Sequence, residues 1–302
     1  MISGVLNVYK EQGYTSHDVV AKLRGILKQK KIGHMGTLDP NAVGVLPVCL
    51  GKGTKLCDML SNENKTYKTV MLLGTVTDTQ DTTGAVLEQV EENIVKEISE
   101  TTIVQVIKSY IGEYNQIPPM YSAIKINGKK LYDLARKGEE IERPARKVEI
   151  LDITITSINL PRVEMIVKCS KGTYIRTLCH DIGKDLECGA CMEELIRTQV
   201  ERFDVEKGLT LDQIKELFEQ GKLEEHIVPV DEMLDKYSKC VVSDEFSKLI
   251  YNGNKFSSRA TMLKMNFMDE QKVRVYDQKG EFIGIYQYDA NLQLYSPVKL
   301  FL

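Results

Sequence analysis

From Gly33 to Pro47 the chain reads Gly-His-Met-Gly-Thr-Leu-Asp-Pro-Asn-Ala-Val-Gly-Val-Leu-Pro. Gly33 and Gly36 bracket His34 with residues that admit backbone shapes others resist. Pro40 disfavours the α region for the residue before it, which makes Asp39 a turn or loop residue. Read alone, the segment is a glycine-rich connector with an Asx turn at Asp39. It is also the kind of loop that hosts catalytic groups when rigid elements hold its ends.

Those rigid elements are legible on either side. Thr15-Ser-His-Asp18 has the pattern of a capping box, and Val19, Val20, Leu23, Ile26 and Leu27 then fall on one helical face. Tyr67 to Leu73 reads as a strand, and Ile103, Val104, Ile107, Tyr110 and Ile111 restore a helical period. Val163 to Cys169 alternates as a strand, Lys171-Gly172 turns the chain, and a helix is expected from Thr177 to Leu186. Thr210-Leu-Asp-Gln213 opens another. Past Asp231 the texture changes to short strands, with Asp277-Gln-Lys-Gly280 as a hairpin signal. A boundary near 230–240 divides the chain into units of residues 1–235 and 240–302, and 302 residues suit two domains. Strands and helices mingle in the first unit without a regular βαβ repeat. That favours an α+β fold over a doubly wound sheet.

Composition removes several function classes. Forty Lys and Arg stand against 43 Asp and Glu, a net charge of −3, so the protein is not coated in positive charge. The basic residues are nevertheless grouped: Lys22 to Lys31 holds five and no acid, and Ser122 to Lys147 holds eight against four acids. Such islands are either solvated faces or localised phosphate-backbone sites. No apolar run is long enough to span a membrane, and the start lacks a signal-peptide pattern, so a cytoplasmic protein is expected. The seven cysteines, Cys188-Gly-Ala-Cys191 included, read as packed reduced thiols rather than a disulfide framework or a zinc site. No metal or cofactor motif is present.

Two further segments carry chemistry-bearing residues. In Cys169-Ser-Lys-Gly-Thr-Tyr-Ile-Arg176, Arg176 sits where a strand turns into a helix. Helix-end amides would add to its guanidinium and favour an anion, a phosphate or a carboxylate such as Asp39; an ordinary surface arginine is the alternative. Ile117-Pro-Pro-Met-Tyr-Ser-Ala-Ile-Lys125 runs into Asn127-Gly-Lys-Lys-Leu-Tyr-Asp-Leu-Ala-Arg-Lys-Gly138. An exposed Tyr132 among cations suits RNA contact, and amphipathic packing of Tyr132 with Leu131 and Leu134 competes with it.

Together Gly33-His-Met-Gly-Thr-Leu-Asp-Pro40, Lys65-Thr-Tyr-Lys68, Pro118-Pro-Met-Tyr-Ser-Ala-Ile-Lys125 and the Cys169–Arg176 segment resemble the signature blocks of the TruB family of bacterial tRNA pseudouridine-55 synthases. The blocks come in the family's order over about residues 1–205. The resemblance implies a pseudouridine-synthase catalytic fold with a mixed, largely antiparallel central sheet and an RNA-binding insertion at about 117–147. For 240–302 it implies a β-rich, PUA-like RNA-binding domain. It implies isomerisation of uridine to pseudouridine at position 55 in the TΨC loop, by a monomer without cofactor, metal or guide RNA.

In that reading Asp39 is the essential carboxylate and Arg176 its partner. Tyr67 lies against the flipped base, Tyr174 and Leu195 in the uridine pocket, and His34 in the gap left in the tRNA loop. Lys129, Lys130, Arg136 and Lys137 contact RNA in the insertion. Glu193 and Glu194, next to Leu195, have no evident part. No second acid is seen beside Asp39, which suits isomerisation better than glycoside hydrolysis. A non-catalytic RNA-binding or RNA-folding protein on the same scaffold, and an N-glycoside hydrolase, are the rival readings.

Overall fold

The computed structural model describes every residue except 61, 62, 127 and 263–266, so Asn127 of the basic segment lies outside the described residues. A ten-stranded mixed sheet dominates. Its main path runs Ile227–Val228, Gly4–Lys10, Val43–Leu50, Ala190–Val200, Lys65–Leu73, Arg162–Cys169, Arg146–Asn159 and Gly112–Gln116. Ile32–His34 pairs with Val43–Leu50, and Phe203–Asp204 with Ala190–Val200. Neighbouring strands are antiparallel except at the centre, where Ile196 and Arg197 lie parallel to Val43 and Gly44. That single parallel contact joins two antiparallel halves, and residues 35–42 leave the sheet beside it as a loop.

Alternation explains the strands and the layers on them. Along Gly4–Lys10, Leu6 and Val8 point toward the Ser16–Ile26 and Leu211–Glu219 helices, while Val5 points to the opposite face. Leu46, Val48 and Leu50 repeat the first set, Val45 and Cys49 the second. Both helices open with capping boxes, the expected one of Thr15 with Asp18 and a second of Thr210 with Gln213, each satisfying two orphan backbone groups. The other half-sheet packs Tyr67, Met71, Ile153, Met165 and Val167 against the Glu100–Ser109 and Ile175–Asp185 helices.

The C-terminal unit is a five-stranded β-sheet in the order Ser238–Val241, Lys272–Tyr276, Phe282–Asp289, Leu294–Leu300 and Phe256–Ser257. It has its own core around Val273, Val275, Ile283 and Tyr286. It also covers the second face of the first half-sheet, where Ile285 and Phe301 share a cluster with Val5, Val45, Cys49 and Leu234. Arg274 ties the two together by donating to the Asp231 and Tyr237 carbonyls. All seven cysteines are free thiols. Among the described residues no helix is long and apolar enough to cross a membrane.

Candidate active site

Asp39 rides on the loop between the Ile32–His34 and Val43–Leu50 strands, and side chains rather than a ladder satisfy that loop's backbone. Lys10, 0% exposed at the end of its strand, donates from Nζ to the carbonyls of Ala42 at 2.6 Å, Pro40 at 3.0 Å and Glu11 at 3.1 Å. Arg197 is 1% exposed and donates to Val45 at 2.7 Å, Gly36 at 3.2 Å and Thr37 at 3.4 Å. Ser16 takes Leu38 at both ends, accepting its N–H at 2.9 Å and donating to its carbonyl at 3.3 Å.

Buried cations are costly unless polar groups replace their water. Here the replacement is carbonyl oxygen, and the charge is still disfavoured: burial pushes the Lys10 ammonium down to about 8 and holds Arg197 below the usual arginine range. Gly44 makes the arrangement possible. Its φ is +107°, and a Cβ there would sit 2.3 Å from the Arg197 carbonyl oxygen.

Across the loop stands Arg176, 4% exposed, the second residue of the Ile175–Asp185 helix. Its Nε lies 2.9 Å from Asp39 Oδ2 and 3.8 Å from Asp81 Oδ2, while its other nitrogens donate to the Thr79 carbonyl at 2.8 Å and the Tyr121 carbonyl at 2.9 Å. The Asp39 contact is a charge pair without hydrogen-bond geometry, since Nε has no hydrogen-bond acceptor. The Asp39 side chain is 39% exposed, so the carboxylate is anchored on one side and open on the other.

Asp81 is a second acid that sequence reasoning did not see. Forty-two positions separate it from Asp39 in the chain, and the Thr75–Thr77 and Val86–Gln89 hairpin brings it back. Its Oδ1 is committed to the Thr79 hydroxyl at 2.7 Å, the Thr83 N–H at 3.0 Å and the Thr83 hydroxyl at 2.5 Å. It braces Arg176 from behind rather than offering a free acid to a substrate.

The remaining sequence-predicted residues, apart from those of the insertion, stand on strands of the sheet and at the helix start. Tyr67 is opposite Arg197 in the ladder and 8% exposed; burial pushes its hydroxyl up, with the guanidinium opposing. Tyr174 precedes the Arg176 helix as its N-cap residue, and burial raises its hydroxyl too. The Asp39 charge is felt at both tyrosines. His34 ends its strand half-buried, with Nδ1 buried and unpartnered, and burial lowers its pKa.

Leu195 is half-buried against the core that contains Tyr67. A bulge between Met192 and Glu194 accounts for the two neighbouring acids. The extra residue, Glu193, is turned outward to a two-bond pair with Arg162 at 2.7 and 2.8 Å, and Leu195 and Arg197 regain the site face. Among the described residues no cluster of His, Cys, Asp and Glu could hold a metal ion.

The insertion forms a separate cluster. Leu131 and Leu134 are buried with Met120, and Lys125, Lys129, Lys130, Arg136 and Lys137 line a shallow cleft of about 640 Å³ beside them. Tyr132 is not freely exposed as expected. It is half-buried between two cations, with Lys130 Nζ 5.1 Å and the Arg136 guanidinium carbon 5.4 Å from its ring centre and Lys130 donating to its hydroxyl at 2.8 Å. None of these cations is paired with Asp39; the backbone of Tyr121 on Arg176 is the bridge between insertion and loop.

The chain is similar to several known proteins. Residues 24–175 match the model of the TruB family pseudouridylate synthase N-terminal domain, and 176–235 that of the tRNA pseudouridylate synthase B C-terminal domain. A tRNA pseudouridine synthase B of Lachnoclostridium phytofermentans is 49% identical over 100% of both chains. That of Clostridium tetani is 48% identical over 95% of this chain and 96% of its own. Among solved structures, a Cbf5–Nop10–Gar1 complex contains a chain that superposes with a TM-score of 0.72 at 28% identity, covering 99% of this chain and 85% of that one. A chain of an H/ACA RNP bound to a substrate RNA containing 2′-deoxyuridine gives 0.71 at 26%, with the same coverage.

Proposed function

Because the chain belongs to the TruB family of pseudouridylate synthases and isomerises uridine to pseudouridine in tRNA, we propose that it acts at position 55 of the TΨC loop through Asp39, Arg176 and Tyr67. The observation that carries this reading is the Asp39–Arg176 pair on a loop fixed by two buried cations. Isomerisation breaks N1–C1′, turns the base and joins C5 to C1′; the C5 proton leaves and N1 gains one. A carboxylate can serve by attack at C1′, by attack on the ring or by balancing charge during cleavage. Each use needs an oxygen open to the base and not consumed by hydrogen bonds, which is the state of Asp39.

The uridine must first leave the folded loop, at a cost of a few kcal/mol. Stacking on Tyr67, worth about 1–3 kcal/mol per base, offsets much of that. Tyr174 and Leu195 close the uridine pocket and His34 enters the gap in the loop. Residues 1–235 form the catalytic domain, with 117–147 as its RNA-binding insertion and Lys129, Lys130, Arg136 and Lys137 on the backbone. Residues 240–302 form a PUA-like RNA-binding domain. The enzyme works in the cytoplasm as a monomer, and the insertion favours a stand-alone enzyme over a guide-dependent one.

The test reacts purified protein with unmodified tRNA transcript and maps pseudouridine by position. Product at 55, with no released uracil, is expected; free uracil would make the protein a hydrolase. Asp39→Asn should bind tRNA and yield no pseudouridine. Turnover near the unmodified rate would remove Asp39 from the chemistry.

A further inference from the structure

Gln116 is 1% exposed at the end of the Gly112–Gln116 strand, immediately before the insertion. Its carboxamide holds both backbone groups of one residue: Oε1 accepts the Tyr174 N–H at 2.7 Å, and Nε2 donates to the Tyr174 carbonyl at 2.9 Å, while the same carboxamide also meets the Tyr114 hydroxyl. Tyr174 is the N-cap of the Arg176 helix and its side chain makes no capping bond. Helix starts leave backbone groups without partners inside the helix. Here a side chain 58 positions away in sequence holds the entry residue by both its amide and its carbonyl. Five residues beyond Gln116, the Tyr121 carbonyl receives Arg176 itself.

We propose that Gln116 is a positioning residue for pseudouridine formation: it fixes the start of the Ile175–Asp185 helix and thereby the approach of Arg176 to Asp39, and it ties that approach to the root of the insertion. This rests on the catalytic reading of Asp39 and Arg176. Gln116 touches neither; its effect runs through Tyr174, with the Tyr114 hydroxyl, which donates to Asp181 of the same helix, as a second tie. Arg146 is its cross-strand partner, and its charge is felt at Tyr174.

The experiment uses the full-length protein carrying Gln116→Met, which keeps length and apolar bulk without hydrogen bonds, and Gln116→Glu, which keeps the acceptor and loses the donor while ionised. Single-turnover pseudouridine formation at saturating tRNA is measured per tRNA-binding site, alongside tRNA Kd and thermal melting. Misplacing a reacting group by about 1 Å can cost about 100-fold. Gln116→Met should therefore lower the saturating rate by about 10- to 100-fold with Kd within about 3-fold, and Gln116→Glu should fall between it and the unmodified protein. If Gln116→Met does not fold, the Gln116→Glu rate decides. An unchanged rate per binding site in a folded variant, with only melting lowered, would reduce Gln116 to a structural residue and overturn the proposal. Failure of the Asp39 reading is distinguishable, because Asp39→Asn would then retain turnover.

Discussion

Lys10 spends its ammonium on three carbonyls in a place closed to water, and its protonation is correspondingly sensitive. With the folded value near 8 and an ordinary lysine value of 10.5, the unfolded chain binds more protons across that window. Stability contributed by this group therefore rises with pH from about 8 to 10.5 and is flat below. Urea unfolding at stepped pH should show the difference between wild type and Lys10→Met widening over that range by up to about 3 kcal/mol. A pH-independent difference would mean the ammonium is not held down. Asp39 and Arg176 were legible in the sequence because Pro40 and a strand-to-helix turn mark them. Lys10 and Arg197 were not, because their partners are backbone carbonyls 32 and 152 positions away, and carbonyls leave no residue signature.

The elements themselves were well marked wherever a local rule applies. A capping box marked one helix start and a Thr-Leu-Asp-Gln run another, and alternation from Val163 to Cys169 marked the Arg162–Cys169 strand. The bulge at Glu193 was invisible, since a single extra residue resets the two-residue period without changing composition. The insertion is an element with its own small core and a basic cleft, and the RNA-binding role proposed for it is separable from chemistry. Each neutralised phosphate contributes about −0.7 to −0.9 to the slope of log affinity against log salt. Replacing Lys129, Lys130 and Arg136 with alanine should flatten that slope by roughly 2 units. Pseudouridine formation at saturating tRNA should fall much less. Filter binding at several salt concentrations reads the slope, and an unchanged one would put the RNA path elsewhere.

For the molecule as a whole, the sequence indicated a change of texture near 230–240 but not the docking that follows it. Val43-Gly-Val-Leu-Pro-Val-Cys-Leu50 is apolar at nearly every position, and a strand buried on both faces cannot say which cover lies on which. The second cover is the C-terminal sheet, with Phe301 1% exposed in the shared cluster. Phe301→Ala should cost about 3–5 kcal/mol. Because the residue serves both units, the loss should appear in a single unfolding transition followed by far-UV signal and by tRNA binding alike. Two separated transitions, with the tRNA-binding one unmoved, would show that the units are energetically independent.

Arg197 also sets a timetable. The loop around Asp39 is drawn into shape by a side chain that the ribosome adds some 150 residues later, and at 5–20 residues per second that delay is on the order of ten seconds. Throughout it the carboxylate has been made but its cradle has not. On the proposed role of Asp39, a growing chain carries every group of the Gly33–Pro47 segment past nearby tRNA without acting on it, and activity is expected only once the Ala190–Val200 strand has closed the sheet.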